Sequence, residues 1–175
     1  MENYNAGIEI DREYFVAYLM REKLFLKQNE NLLAEADFEE VLKLDTVVGD
    51  GSCRHYALHF IGRDDEALEW MAKMIEATSD EAGIYYDKCC LLSLMGRTDD
   101  AIATFKIAME KGYCEFAHIA QDNDVDAIRN HPDFVALINK YSHQVVGVED
   151  GNDNNDSIAV ISEIAIKKMY SGVYE

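Results

Sequence analysis

The chain has 175 residues, 49% of them hydrophobic, which is enough for one domain with a buried core and an appendage. Its 34 Asp and Glu against 16 Lys and Arg leave a formal net charge of −18, which argues against nucleic-acid backbones and anionic membranes but leaves room for a basic partner. A single proline suits a mostly helical chain, and no apolar run approaches the ~18 residues that would span a bilayer.

Residues 1–12 read as a lead-in, mobile or partly helical; Met1-Glu2-Asn3-Tyr4 lacks the basic and apolar regions of a signal peptide. A first helical hairpin is predicted over 13–28 and 31–44, the second helix carrying Ala34, Phe38 and Val41 at helical spacing, with Asn29-Glu30-Asn31 as the turn. Gly49-Asp50-Gly51-Ser52 breaks the chain, and Ser52 is expected to cap a short helix over 52–61. After the turn Gly62-Arg63, a helix over 64–77 opens with Asp64, Asp65 and Glu66, acids that suit the positive end of a helix dipole.

The stretch 80–112 is the best-formed hairpin, with helices over 80–95 and 98–111 around the turn Gly96-Arg97. Thr98 is the expected N-cap and Gly112 the expected left-handed stop. A helical segment over 115–121 is broken by Asp122-Asn123-Asp124, and 125–130 forms a turn or two. Pro132 then opens a helix to Tyr141 that buries Phe134, Leu137, Ile138 and Tyr141.

Gly62-Arg63-Asp64-Asp65-Glu66-Ala67-Leu68 lines up with Gly96-Arg97-Thr98-Asp99-Asp100-Ala101-Ile102, 34 residues on. A helical hairpin at that period resembles the tetratricopeptide (TPR) repeat. The pattern falls on Tyr85, Cys89, Leu92, Gly96, Ala101, Phe105 and Ala108, with weaker copies on Gly51, His55, Leu58, Gly62, Ala67, Met71 and Met74 and on Tyr18, Glu22, Phe25, Asn29, Ala34, Phe38 and Val41. The stretch 124–134 resembles the cap-like end of many bacterial TPR proteins. The resemblance implies an all-α, TPR-type helical-hairpin solenoid of about three repeats plus a C-terminal helical cap, over residues 1–144, that holds other polypeptides.

After Val148 the run 149–156 is acidic and Asn-rich, so 145–157 reads as a solvated linker, followed by an extended tail over 158–175 with a short strand at 163–167. The tail Glu163-Ile164-Ala165-Ile166-Lys167-Lys168-Met169-Tyr170 and the residues to Glu175 resemble the start of retropepsin-like aspartic peptidase domains that follow TPR repeats in some bacterial proteins. The resemblance implies a regulatory or substrate-gathering half of such a peptidase. Asp45-Thr46-Val47 and Asp156-Ser157-Ile158 both lack the Asp-Thr/Ser-Gly of catalysis, so no enzyme is expected in these residues.

In the TPR frame the concave groove falls on Leu19, Lys23 and Leu26, on Tyr56 and His59, and on Tyr86 and Cys90. An apolar, tyrosine-containing groove suits a peptide, from another protein, from the chain's own tail or from a second copy; packing under neighbouring helices is an equally weighted alternative. The Lys and Asn pairs that clamp chaperone tails are missing. His55 and His59 stand one turn apart, with no third metal ligand in sight, and a packing role for His55 is preferred. The alternating Asp150, Asn152, Asn154 and Asp156 fail the EF-hand rule, which needs Gly where Asn155 stands and Glu where Ile161 stands. Cys53, Cys89, Cys90 and Cys114 form no CxxC and no zinc spacing, so reduced thiols in the cytoplasm are expected, with neither metal nor cofactor.

Overall fold

The computed structural model describes residues 2–46 and 52–146, with side chains as far as Ser142. Among them all regular structure is helical, which bears out the all-α class. The expected break at 49–51 and the tail at 158–175 lie outside the described residues. Of the expected linker at 145–157, only residues 145 and 146 are described, both helical. The chain divides into two compact units, residues 1–79 and 80–175. No described helix is long and apolar enough to cross a membrane.

In the first unit, α1 (Glu2–Ile10), α2 (Phe15–Lys27), α3 (Asn31–Leu44), α4 (Arg54–Phe60) and α5 (Asp64–Ala77) pack mainly as the pairs α2 with α3 and α4 with α5, with α1 against α2. The lead-in is thus a helix for most of its length. Asn29, at φ 59°, takes the left-handed position that Gly62 takes at φ 78°. In both turns the next N–H reaches back to the last turn of the helix, Glu30 to the Phe25 carbonyl at 2.9 Å and Arg63 to the Leu58 carbonyl at 2.8 Å. These are Schellman caps, and they fold the chain straight into the next helix.

Ala34, Phe38 and Val41 bury the inner face of α3 at 0%, 2% and 0% exposure. Arg21 on α2 holds Asp37 on α3 through two hydrogen bonds, of 2.8 and 2.6 Å. The cap of α4 differs from the expected one. The Asp45 carboxylate, and not Ser52, accepts the Cys53 and Arg54 backbone N–H groups at 2.7 Å each. Ser52 instead donates to Asp45 at 3.1 Å and accepts from the Trp70 indole at 2.9 Å. A buried carboxylate outcompetes a hydroxyl for two N–H donors because the bonds are charge-assisted.

In the second unit, α6 (Ala82–Leu94) pairs with α7 (Thr98–Glu110) through a turn at Gly96 with φ 71°. Thr98 is the first residue of α7 rather than its cap, and Arg97 precedes it without a side-chain cap bond. Gly112 does take the left-handed stop, at φ 96°. A short α8 (Phe116–Ile119) leads to a 3-10 turn (Asn123–Val125) packed on α6, and α9 (Pro132–Val146) packs on α7. Phe105 and Phe134, both fully buried, meet at 4.4 Å between ring centres and seat α9 on α7. Phe134 and Ile138 are buried as expected, whereas Leu137 and Tyr141 remain half-exposed.

Candidate functional site

The densest group of chemically versatile side chains in the second unit centres on Asp122. The sequence shows this residue only as the end of a helix. Its Oδ1 accepts the Asp124 N–H at 3.0 Å, a local turn that starts the 3-10 segment. Its Oδ2 accepts the Tyr86 hydroxyl at 2.9 Å and the Cys90 thiol at 3.5 Å, and lies 3.5 Å from His118 Nε2. Tyr86 and Cys90 are one turn apart on α6, so a single helix face delivers both donors. Tyr113 stacks on Tyr86 at 4.4 Å and the His118 ring meets Tyr86 edge-on at 5.7 Å. Arg129 fixes the turn from below. It donates to the Ile119 carbonyl at 2.9 Å, to the Ala120 carbonyl at 3.3 Å and to the Asp122 carbonyl.

This is a Cys, a His, an Asp and two Tyr within one cluster, but it is wired for order rather than for nucleophilic attack. Burial, and then the charge of Asp122, pushes the Cys90 thiol well above its ordinary 9.0. Burial likewise raises the phenols of Tyr86 and Tyr113. An activated cysteine needs the opposite shift, toward thiolate. Here the thiol is a proton donor to a carboxylate, and no imidazole stands between the two.

The residues expected to line a groove separate into two sets. Tyr86 and Cys90, at 2% and 1% exposure, belong to the Asp122 cluster and present no surface to a ligand. Leu19, at 3% exposure, is core of the first unit. Lys23, Leu26, Tyr56 and His59 are half-exposed in that unit. There the Lys23 ammonium lies 5.3 Å from the Tyr56 ring centre and 5.9 Å from that of Phe60. His59 Nδ1 is 2.7 Å from Asp64, and Leu26 borders a cleft of about 270 Å³ with Phe38 and Phe60. His55 is 1% exposed, 4.1 Å from the Tyr56 ring, and burial lowers its pKa to about 3, so it is a neutral packed ring. Among the described residues no group of three His, Cys, Asp or Glu stands where it could hold a metal.

A second surface feature was not legible in the sequence. Between α7 and α9 lies an open groove of about 340 Å³, with Ile102, Ala103, Ala136 and Leu137 along it and Lys106, Asp133 and Lys140 at its rim. The helical periodicity of α9 predicts burial of Leu137, and only the placement of α9 on α7 shows that this side chain borders a groove.

The A/B hydrolase-like, N-terminal domain family matches residues 57–145, from within α4 to the end of α9. No curated protein and no solved structure matches the chain. The match spans half of the chain, and the chain belongs to that family. The family is neither the tetratricopeptide repeat nor a retropepsin-like peptidase, which overturns both resemblances, and with them the scaffold role, the peptide-binding groove and the peptidase half. The reason is physical. A left-handed turn residue, small residues where two helices touch and aromatics between them are what any tight helical hairpin requires, so they do not identify one family. Glu22 and His55, both buried, stand where the repeat pattern asks for a small residue.

Proposed function

We propose that this member of the A/B hydrolase-like N-terminal domain family is a non-catalytic helical accessory domain that works beside an α/β-hydrolase-type catalytic domain. The wiring of Asp122 carries the reading. In the family-matched span, the Tyr86 hydroxyl and the Cys90 thiol are committed to Asp122, where they hold α6 against the turn after α8, and burial keeps that thiol protonated. The hairpins then serve as a rigid frame that presents surface. The formal charge of −18 disfavours nucleic acid as the partner. Four free cysteines, three of them buried, suit a reducing compartment such as the cytoplasm.

The purified chain, incubated with p-nitrophenyl esters of short and long acyl chains between pH 7 and 8, is expected to release nitrophenol at the buffer rate. A rate above buffer that is lost in Cys90→Ser or in His118→Ala would make the cluster catalytic and overturn the reading. His118 is exposed and Cys90→Ser is nearly isosteric, so neither variant is expected to unfold the chain.

A further inference from the structure

The groove between α7 and α9 has an occupant within reach. We propose that the isoleucine-rich segment 158–166 of this chain folds back along α9 and lies in that groove.

Three observations converge. The first is chemical. Ile102 and Ala103 on α7 and Ala136 and Leu137 on α9 form an apolar floor, with Ala103 and Ala136 exposed and Leu137 half-exposed. Ile158, Val160, Ile161, Ile164 and Ile166 are apolar side chains that such a floor would take out of water. The second is reach. α9 is one wall of the groove and ends at Val146. From Asp133 to Lys140 the groove runs about 10 Å along α9. Residues 147–157 extend up to ~36 Å, so the chain can turn back with slack.

The third is charge order. A segment returning from Val146 runs antiparallel to α9 and passes Lys140 before Asp133. Asp153 and Asp156 precede the isoleucines and Lys167 and Lys168 follow them. In that direction the acids lie on the Lys140 side of the groove and the lysines on the Asp133 side, each overhanging the groove toward the opposite sign. The reverse direction would set lysine on lysine. Lys106 stands across the groove for Glu163, with its present contact to Glu110 a loose 3.7 Å. This docking is independent of the accessory role. A chain that hydrolysed esters could still fold its tail back, and an inert one need not.

Methyl NMR on the full chain decides it. Isotope-filtered spectra of a mixture of labelled and unlabelled chains separate contacts within one molecule from contacts between two. Expected are intramolecular NOEs from the methyls of Ile158 and Ile161 to those of Ile102 and Leu137. Ala136→Glu, at an exposed position, should abolish them while leaving the Leu91 and Leu92 methyl shifts of the core in place. The same substitution should speed tryptic cleavage at Lys167 and Lys168 about tenfold, and Ile161→Asp should do likewise. Random-coil shifts for the segment would overturn the proposal. So would NOEs found only between molecules, which would put a second copy's segment in the groove, or equal cleavage rates in parent and variants.

Discussion

Glu22, His55 and Cys89 occupy the same place in their three hairpins, and all three are sealed from solvent at 0%, 1% and 0% exposure. The second unit fills the place with a thiol, which tolerates burial as a small hydrophobe. The first unit fills it with two ionisable groups, and neither Glu22 oxygen nor either His55 nitrogen has a hydrogen-bond partner. Burial drives the Glu22 pKa up to about 9 and the His55 pKa down to about 3. The second unit also carries a largely buried acid, Asp122, but surrounds it with donors. Buried acids held by donors occur in both units, Asp37 and Asp45 in the first and Asp122 in the second. Among the described residues, only the first unit also buries a carboxyl and an imidazole that have no hydrogen-bond partner, those of Glu22 and His55. The pH sensitivity of the fold should consequently be concentrated in the first unit.

The largest expected effect breaks the comparison at Glu22. Its pKa is higher folded than unfolded, so between pH 4.5 and about 9 the folded chain binds more protons and stability falls as pH rises. Below pH 4.5 both states are protonated and nothing is lost. The slope is at most about 1.4 kcal/mol per pH unit, which puts the loss by pH 8 at up to about 5 kcal/mol. Glu22→Gln keeps the shape and cannot ionise. Urea unfolding should show the variant level with the parent near pH 4.5 and well above it at pH 8. His55 works in the other direction. Its folded pKa is depressed, so its contribution is complete above pH 6.5 and is lost as pH falls toward about 3. From these two groups alone, stability is level between pH 4.5 and 6.5 and falls on both sides. Parallel pH profiles for parent and Glu22→Gln would show that the acid is not buried unpaired.

Asp122→Ala breaks the other half. It strips three donors of their acceptor, two of them on the buried face of α6, and should cost about 3 kcal/mol in urea unfolding at pH 7. A loss below about 0.5 kcal/mol would mean that the carboxylate is a surface group.

Much of the frame was open to reading in advance, because helix spacing and turn residues are local. The helices over 31–44 and 64–77 match the predicted bounds, and the stand-in of Asn29 for glycine follows from its tolerance of the left-handed region. The site was less legible. Asp122 reads as a breaker because breaking is what its own neighbours reveal. Its partners Tyr86 and Cys90 lie 36 and 32 residues away, and no spacing rule connects them. Asp45 was hidden in the same way, since its role as a cap is played across a turn, on Cys53 and Arg54. The family failed to emerge for a different reason. The residues that suggested a repeat are those that make hairpins in general, and hairpins are common to many families.

The smallest effect sharpens the comparison at the turns. Asn29 and Gly96 hold equivalent caps, at φ 59° and 71°. An L residue in this region carries a conformational cost of roughly 1–2 kcal/mol, which asparagine offsets in part and glycine avoids. A Cβ added at Gly96 would meet nothing within 4 Å, so Gly96→Ala tests backbone preference without a steric clash. It should cost about 1 kcal/mol, and Asn29→Gly should gain a few tenths, both read as shifts in the urea midpoint at unchanged slope. If Asn29→Gly instead destabilised the chain, the Asn29 side chain would be contributing something in the folded state beyond its tolerance of the turn. The first unit would then be held at that corner by a side chain, where the second is held by its backbone alone.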